Sequence, residues 1–123
     1  MSPRSIDELL AEARTKLRRL DPAGARAAVD DGGAVLIDIR SDAQRARDGV
    51  VPESIRIQRN VLEWRCDPAS DWRDGRVAPD RTVIVMCDEG YQSSLAASAL
   101  QDLGHPDATD LVGGFQAWRE ASR

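Results

Sequence analysis

Residues 82–103 read TVIVMCDEGYQSSLAASALQDL, and this stretch decides the fold. Residues 82–86 are a continuous apolar run, which is typical of a strand buried on both faces of a parallel sheet. Residues 87–92 are polar and contain a glycine, which indicates a loop. From Ser93 onward apolar residues recur at three- and four-residue spacing, which predicts a helix capped by Gly104. A buried strand followed by a short loop and a helix is half of a parallel βαβ unit.

The rest of the chain repeats this alternation on both sides of that stretch. Apolar runs predict three more strands, over residues 34–38, 54–57 and 109–112. Apolar spacing, capping residues and glycine breaks predict the helices, and Asp21 before Pro22, Ser41 or Asp42, and Asn60 are the expected N-caps. The helices are expected over residues 6–20, 22–32, 42–47, 61–65, 93–103 and 115–121. A short strand is also expected near Leu20. The pattern predicts an α/β fold, a three-layer sandwich with a mainly parallel sheet of 4–5 strands and helices on both faces.

A length of 123 residues predicts one domain over residues 1–123. We expect residues 1–20 to form an N-terminal amphipathic helix and residues 21–123 to form the core. The one-sided apolar pattern of that helix leaves open whether it docks on the domain or mediates a dimer.

The charge balance bears on the class of partner. Residues 1–65 carry 12 basic and 11 acidic side chains, whereas residues 66–123 carry 5 and 10. An acidic second half argues against nucleic acid, because phosphate binding needs clustered cations. The sequence contains no apolar run long enough for a membrane span, and residues 1–8 lack the apolar stretch of a signal peptide, so we expect a cytoplasmic protein. One histidine and two cysteines form no common zinc motif, and we expect no metal and no cofactor.

Cys87 lies where the most apolar strand ends, and such ends form the ligand side of a parallel sheet. Main-chain N–H groups of the following loop and the start of the next helix form an anion-binding nest there, which favours the nucleophilic thiolate. Asp38, Arg40 and Arg59 fall at or just past other strand ends and are candidates for the same site. A free cysteine is also commonly just the last buried residue of a strand, and spacing alone leaves both interpretations open.

Four blocks in order resemble the rhodanese (sulfurtransferase) domain, from about residue 20 to residue 121. Asp38-Ile39-Arg40 is similar to the Asp-x-Arg signature, and residues 49–54 (GVVPES) occupy the place of a Gly-His-Ile-Pro-Gly-Ala stretch. Residues 87–97 (CDEGYQSSLAA) resemble the active-site loop and helix, and residues 111–118 (LVGGFQAW) resemble the closing Gly-Gly-x-x-x-Trp element. The resemblance implies a rhodanese-like sandwich.

The resemblance also implies covalent catalysis at Cys87. Cys87 would attack the outer sulfur of a small donor and become a persulfide, which a thiol acceptor or a partner protein then discharges. The loop N–H groups would hold the negative terminal sulfur, and Gly90 would let the loop curl. The Ser93 hydroxyl is expected to cap the helix and donate toward Cys87. The active-site loop comprises Asp88, Glu89, Gly90, Tyr91, Gln92 and Ser93.

The chain departs from the family pattern around the thiol. Gln92 stands where many members carry arginine, and Asp88 and Glu89 place two carboxylates beside Cys87, so an anionic donor would be repelled. We therefore expect thiosulfate to be a poor donor and a less charged donor or a protein persulfide to be preferred. Arg59 could offset part of this negative charge.

Several other residues are expected to have structural roles. Asp38 and Arg40 are expected to pair and fix the loop after their strand. Cys66 is expected in a polar loop. A disulfide with Cys87 is not favoured, because the sequence gives no distance between the two cysteines. Trp64 and Trp118 are expected in the core.

Two alternatives from other classes stay open. One is a non-catalytic rhodanese-like binding or regulatory module, against which the presence of Cys87 argues. The other is a cysteine-based phosphatase or arsenate reductase, in which a longer loop ends in an arginine that binds the oxyanion. Residues 88–94 contain no arginine, which disfavours a phosphate dianion as ligand.

Overall fold

The structure is a computed structural model that describes residues 2–122. Four parallel strands form one sheet in the order β2-β1-β3-β4, where β1 is Val35–Asp38, β2 is Ile55–Arg56, β3 is Val83–Met86 and β4 is Thr109–Asp110. Adjacent strands pair in parallel. Ile37 of β1 lies opposite Ile55 of β2 on one side and Val85 of β3 on the other, and Val85 in turn lies opposite Asp110 of β4. The predicted α/β fold with a parallel sheet of at least four strands is confirmed.

Within residues 2–122, six α-helices cover the sheet: α1 is Ile6–Thr15, α2 is Pro22–Gly32, α3 is Asp42–Asp48, α4 is Leu62–Cys66, α5 is Gln92–Asp102 and α6 is Gly114–Ala121. The caps Asp21 and Ser41 are confirmed, because each side chain accepts a main-chain N–H three residues later. The expected cap Asn60 is wrong: a 3₁₀ turn over Arg59–Val61 leads into α4, and neither element has a side-chain cap.

Side chains alternate between the two faces of the sheet and build two cores. Val35, Val83 and Val85 pack on one face against α4 and α5, whereas Leu36 and Ile84 pack on the other face against α2 and α6. Helices therefore cover both faces, as the three-layer prediction requires.

Three sequence expectations are corrected by the structure: the end of the first helix, the burial of Trp64 and the position of Cys66. The first helix ends at Thr15 rather than residue 20, because the main chain of Leu20 must extend to bond with Asp110 and Val112 beside β4. This short strand-like contact at Leu20 was expected. Trp64 is 60% exposed rather than buried, whereas Trp118 lies in the core as expected.

Cys66 is the third correction. It ends α4 and is fully buried, whereas a polar loop was expected.

Candidate active site

Cys87 directly follows β3, and its sulfur is the focus of main-chain donors. The N–H of Gly90 donates to Cys87 Sγ at 3.1 Å, and the N–H of Ser93, in the first turn of α5, donates at 3.4 Å. The cysteine is 5% exposed and joins the core cluster beneath α5. Two N–H groups aimed at one sulfur atom stabilise negative charge on that atom.

The loop can take this path because residue 90 is a glycine. Gly90 has φ +90°, and a Cβ there would lie 2.7 Å from the main-chain nitrogen of Gly113. Below the loop, the N–H groups of Phe115 and Gln116 donate to the carbonyls of Cys87 and Asp88 at 2.8 and 3.1 Å. The turn at residues 113–116 therefore forms the floor of the loop.

The Ser93 hydroxyl does not donate toward Cys87, which corrects the sequence expectation. It donates instead to Asp110 Oδ2 at 2.7 Å, and the Ser94 hydroxyl donates to the same oxygen at 2.8 Å. α5 has no side-chain N-cap either, so Ser93 does not cap the helix. The contribution of Ser93 at the sulfur comes from its main chain.

Sequence reasoning missed the residues behind the loop. Asp110 is fully buried and binds Arg19 through both carboxylate oxygens, at 2.9 and 3.2 Å. Arg14 and Arg19 each donate to the Gly90 carbonyl at 2.8 Å. The position of Asp110 at the carboxyl end of β4 was a usable signal, because the same rule singled out Cys87. Nothing local in the sequence pointed to the two arginines, which lie 76 and 71 residues before Gly90.

Asp38 and Arg40 form a buried ion pair at the end of β1. Arg40 donates from Nε and from a terminal nitrogen to the two Asp38 oxygens at 3.0 and 2.9 Å, and its guanidinium lies 3.7 Å from the Phe115 ring centre. Burial acts to raise the pKa of Asp38, but the hydrogen bonds from Arg40 more than offset it, so the pKa lies below its usual range. The pair fixes the chain at this end of β1, as expected of a structural pair.

A cleft of about 480 Å³ opens at the carboxyl ends of β1 and β2. Arg40, Arg59 and Gln92 line it, so Arg59 shares this cleft with one residue of the loop after Cys87, and Arg59 also donates to Glu63 at 2.7 Å. A larger hollow of about 590 Å³ lies near the amino ends of β3 and β4, around Thr82, away from Cys87. The larger hollow is therefore not the one at the carboxyl ends of the strands, where parallel sheets commonly bind ligands.

The remaining loop residues point in different directions. Asp88 accepts from Gln116 Nε2 at 3.0 Å and pairs with Arg47 at 3.4 Å, so its charge is partly offset. Glu89 and Tyr91 are exposed, and the Arg14 guanidinium lies 5.6 Å from the Tyr91 ring centre.

Cys66 is a poor candidate for a nucleophile. Burial, followed by the nearby charges of Asp74 and Glu63, raises the pKa of Cys66 to about 12. Both cysteines are free thiols.

Residues 2–122 contain neither a candidate metal-binding cluster nor a helix that could span a membrane. They hold no cluster of three or more His, Cys, Asp or Glu side chains suited to a metal ion. Over the same residues, none of the helices combines the length and the apolar character that crossing a membrane requires.

Comparison with known proteins gives a consistent family. A relative named thiosulfate sulfurtransferase GlpE, from Pseudomonas savastanoi pv. phaseolicola, is 30% identical over 105 residues, which are 85% of this chain and 90% of the relative. A solved structure from Rhodopseudomonas palustris, described as a protein of unknown function and a possible tyrosine phosphatase, is 34% identical with a TM-score of 0.88 and covers 99% of this chain and 94% of its own.

The human single-domain sulfurtransferase TSTD1 shares the fold at 24% identity, with a TM-score of 0.67 over 83% of this chain and 95% of its own. The family model for the rhodanese-like domain matches residues 21–121. With most of its length matched, the chain belongs to the rhodanese-like domain family.

Proposed function

We propose that this protein is a sulfurtransferase that moves sulfane sulfur from a donor to a thiol acceptor through a persulfide on Cys87. The observation that carries this proposal is the sulfur of Cys87 held by the N–H groups of Gly90 and Ser93 at the end of a parallel strand. Main-chain donors of this kind stabilise charge that develops during a reaction without any reorganisation. The name of the Pseudomonas relative supports the same chemistry.

The reaction consists of two sulfur displacements. The Cys87 thiolate attacks the outer sulfur of the donor, the bond between that sulfur and the rest of the donor breaks, and the rest departs with the electron pair. An acceptor thiolate then attacks the outer sulfur of the persulfide, and Cys87 leaves as a thiolate. Each step forms one bond to sulfur and breaks one, so no external oxidant or reductant is needed.

The donor is expected to carry little negative charge. Glu89 is exposed beside the thiol, and Gln92 lines the cleft with no charge of its own. Asp88 contributes less repulsion than the sequence alone indicated, because Arg47 and Gln116 hold its carboxylate. Thiosulfate should therefore be a poor donor relative to a less charged persulfide or a protein persulfide.

The charge hypothesis is tested with Asp88→Asn and Glu89→Gln, separately and combined. We expect thiosulfate turnover, with cyanide as acceptor, to rise in the double variant, with most of the gain from Glu89. An efficient wild-type enzyme that the double change leaves unimproved would remove the hypothesis.

The proposal of sulfur transfer is tested by mass spectrometry after incubation with a panel of donors. We expect the wild-type chain to gain about 32 Da, one sulfur atom, and Cys87→Ser to gain none. Cys66→Ala is the matched control and should still gain the sulfur, because Cys66 is buried and inert. A wild-type chain that takes up no sulfur from any donor would favour a binding module instead.

The similar Rhodopseudomonas protein is described as a possible tyrosine phosphatase, which keeps the phosphatase alternative in view. In this chain residues 88–94 contain no arginine to bind a phosphate dianion, so we rank that activity below sulfur transfer. Turnover of an aryl phosphate that disappears in Cys87→Ser would reverse the ranking.

A further inference from the structure

The two N–H groups that donate to the Cys87 sulfur belong to Gly90 and Ser93. Other polar groups of these two residues are hydrogen-bonded to side chains elsewhere in the fold. The Gly90 carbonyl accepts from Arg14 and from Arg19, each at 2.8 Å. The Ser93 hydroxyl donates to Asp110, whose carboxylate also binds Arg19. Gly90 and Ser93, whose N–H groups bond to the Cys87 sulfur, are thus both connected to the segment that precedes residue 21.

That segment lies outside the part of the chain matched by the family model, which begins at residue 21. α1 packs against α5, the helix that starts at the end of the loop. Beyond Gly90, Arg14 also donates from Nε to the Ser94 hydroxyl at 3.1 Å. Helix α1 and residues 16–20 therefore do more than cover an apolar face. They also donate hydrogen bonds to the Gly90 carbonyl in the loop and to the Ser94 hydroxyl at the start of α5.

We propose that Arg14 and Arg19 are positioning residues for sulfur transfer, and this inference rests on the proposed function of Cys87. Charged donors bind a carbonyl about twice as strongly as neutral ones do. Two of them on the Gly90 carbonyl fix the orientation of that residue. The N–H of Gly90 then stays directed at the sulfur as charge moves onto and off it.

Arg14 is the better residue to change. Arg19 neutralises the buried carboxylate of Asp110, so its removal would leave an uncompensated charge and confuse function with folding. Arg14 instead contacts the Gly90 carbonyl, the Ser94 hydroxyl and the Tyr91 ring. Arg14→Met keeps much of its apolar contact and removes its hydrogen bonds.

Lys16 offers a matched control on the same segment. Its ammonium donates to the Ser98 hydroxyl at 3.2 Å. Ser98 lies on α5, one helical turn beyond Ser94. Lys16→Met therefore removes one cation and one contact between the N-terminal segment and α5 without touching the loop.

The experiment measures three quantities on wild type, Arg14→Met, Arg14→Lys and Lys16→Met. They are the melting temperature, the pH profile of Cys87 alkylation by iodoacetamide, and the rate of persulfide formation at saturating donor. We expect Arg14→Met to move the alkylation midpoint to higher pH and to slow persulfide formation about tenfold, with KM changed less than twofold. Arg14→Lys should recover most of that rate, and Lys16→Met should match the wild type.

Unchanged alkylation and loading in Arg14→Met would overturn the inference. So would an equal loss in Lys16→Met, because that would show a general effect of loosening the segment. If Arg14→Met does not fold, Arg14→Gln takes its place, because its side chain cannot supply the charged donors to the Gly90 carbonyl and the Ser94 hydroxyl, and the same rise of the alkylation midpoint relative to Lys16→Met is expected. Failure of the proposed function is distinguishable, because the wild type would then form no persulfide while the alkylation profiles still report on Arg14.

Discussion

Replacing Gly114 with alanine tests how tightly the loop after Cys87 is held against its floor. Gly114 has φ +61°, and a Cβ at this position would lie 2.5 Å from the Cys87 carbonyl oxygen and 2.7 Å from the carbonyl oxygen of Asp88. Atoms in favourable contact lie about 3.5 Å apart, so the loop and the turn must separate by about 1 Å. Such a shift would also stretch the bond from the Phe115 N–H to the Cys87 carbonyl, which is now 2.8 Å long.

The cost has two parts. A residue with a Cβ in the left-handed region costs about 1–2 kcal/mol, and forcing an extra carbon into a packed site costs about 1–3 kcal/mol. The free energy of unfolding should therefore fall by about 2–5 kcal/mol in Gly114→Ala. Because a displacement of about 1 Å can cost about 100-fold in rate, persulfide formation on Cys87 should slow by about that factor.

Gly33→Ala is the matched control for this test. Gly33 has φ +69°, close to that of Gly114, but a Cβ there would meet nothing within 4 Å. It should lose only the backbone cost of about 1–2 kcal/mol and keep its sulfur loading. Urea unfolding and a mass-spectrometric time course of persulfide formation measure both effects. Equal losses of stability in the two variants, with wild-type loading in Gly114→Ala, would refute the reasoning.

Three further predictions concern buried and paired groups. At about pH 8 iodoacetamide should label one thiol in the native chain and two in urea, because the pKa of Cys66 is raised to about 12; two labels without urea would contradict this. Asp38→Asn should lower the free energy of unfolding by about 3–5 kcal/mol, because Arg40 keeps a buried charge with no partner, and wild-type stability in urea would count against it. The hydrogen bond from Arg76 lowers the pKa of Asp74 from 3.8 to about 2, so this carboxylate stabilises the fold above about pH 4 and the contribution is lost as the pH falls toward 2. Asp74→Asn should flatten that decline in urea unfolding at several pH values, and an unchanged slope would be evidence of another group.

The two central strands of the sheet, β1 and β3, were predictable because they are short apolar runs. β1 and β3 are buried on both faces, and their sequences contain only apolar residues up to Asp38 and Cys87. Local chemistry also gave the caps at Asp21 and Ser41, because a cap acts within three residues of its own position.

Features that depend on distant partners were not predictable in the same way. Periodicity continued the first helix to residue 20, but the main chain of Leu20 leaves the helix to bond beside β4. Trp64 sits on a five-residue helix, which is too short for its spacing to show which face is buried. The Ser93 hydroxyl was assigned by its nearness in sequence to Cys87, whereas the carboxylate that takes it lies 17 residues away.

The contact between residues 19–20 and residues 110–111 has a consequence for how the protein is made. Arg19 and Asp110 are 91 residues apart in sequence, so a ribosome releases the first long before the second exists. Closing so long a stretch of chain is entropically unfavourable until most of the intervening structure has formed. The hydrogen-bonded surroundings of Cys87 are therefore complete only when both of these distant segments have reached their places in the fold. The order in which the chain is synthesised makes the β4 segment the last of these partners to become available.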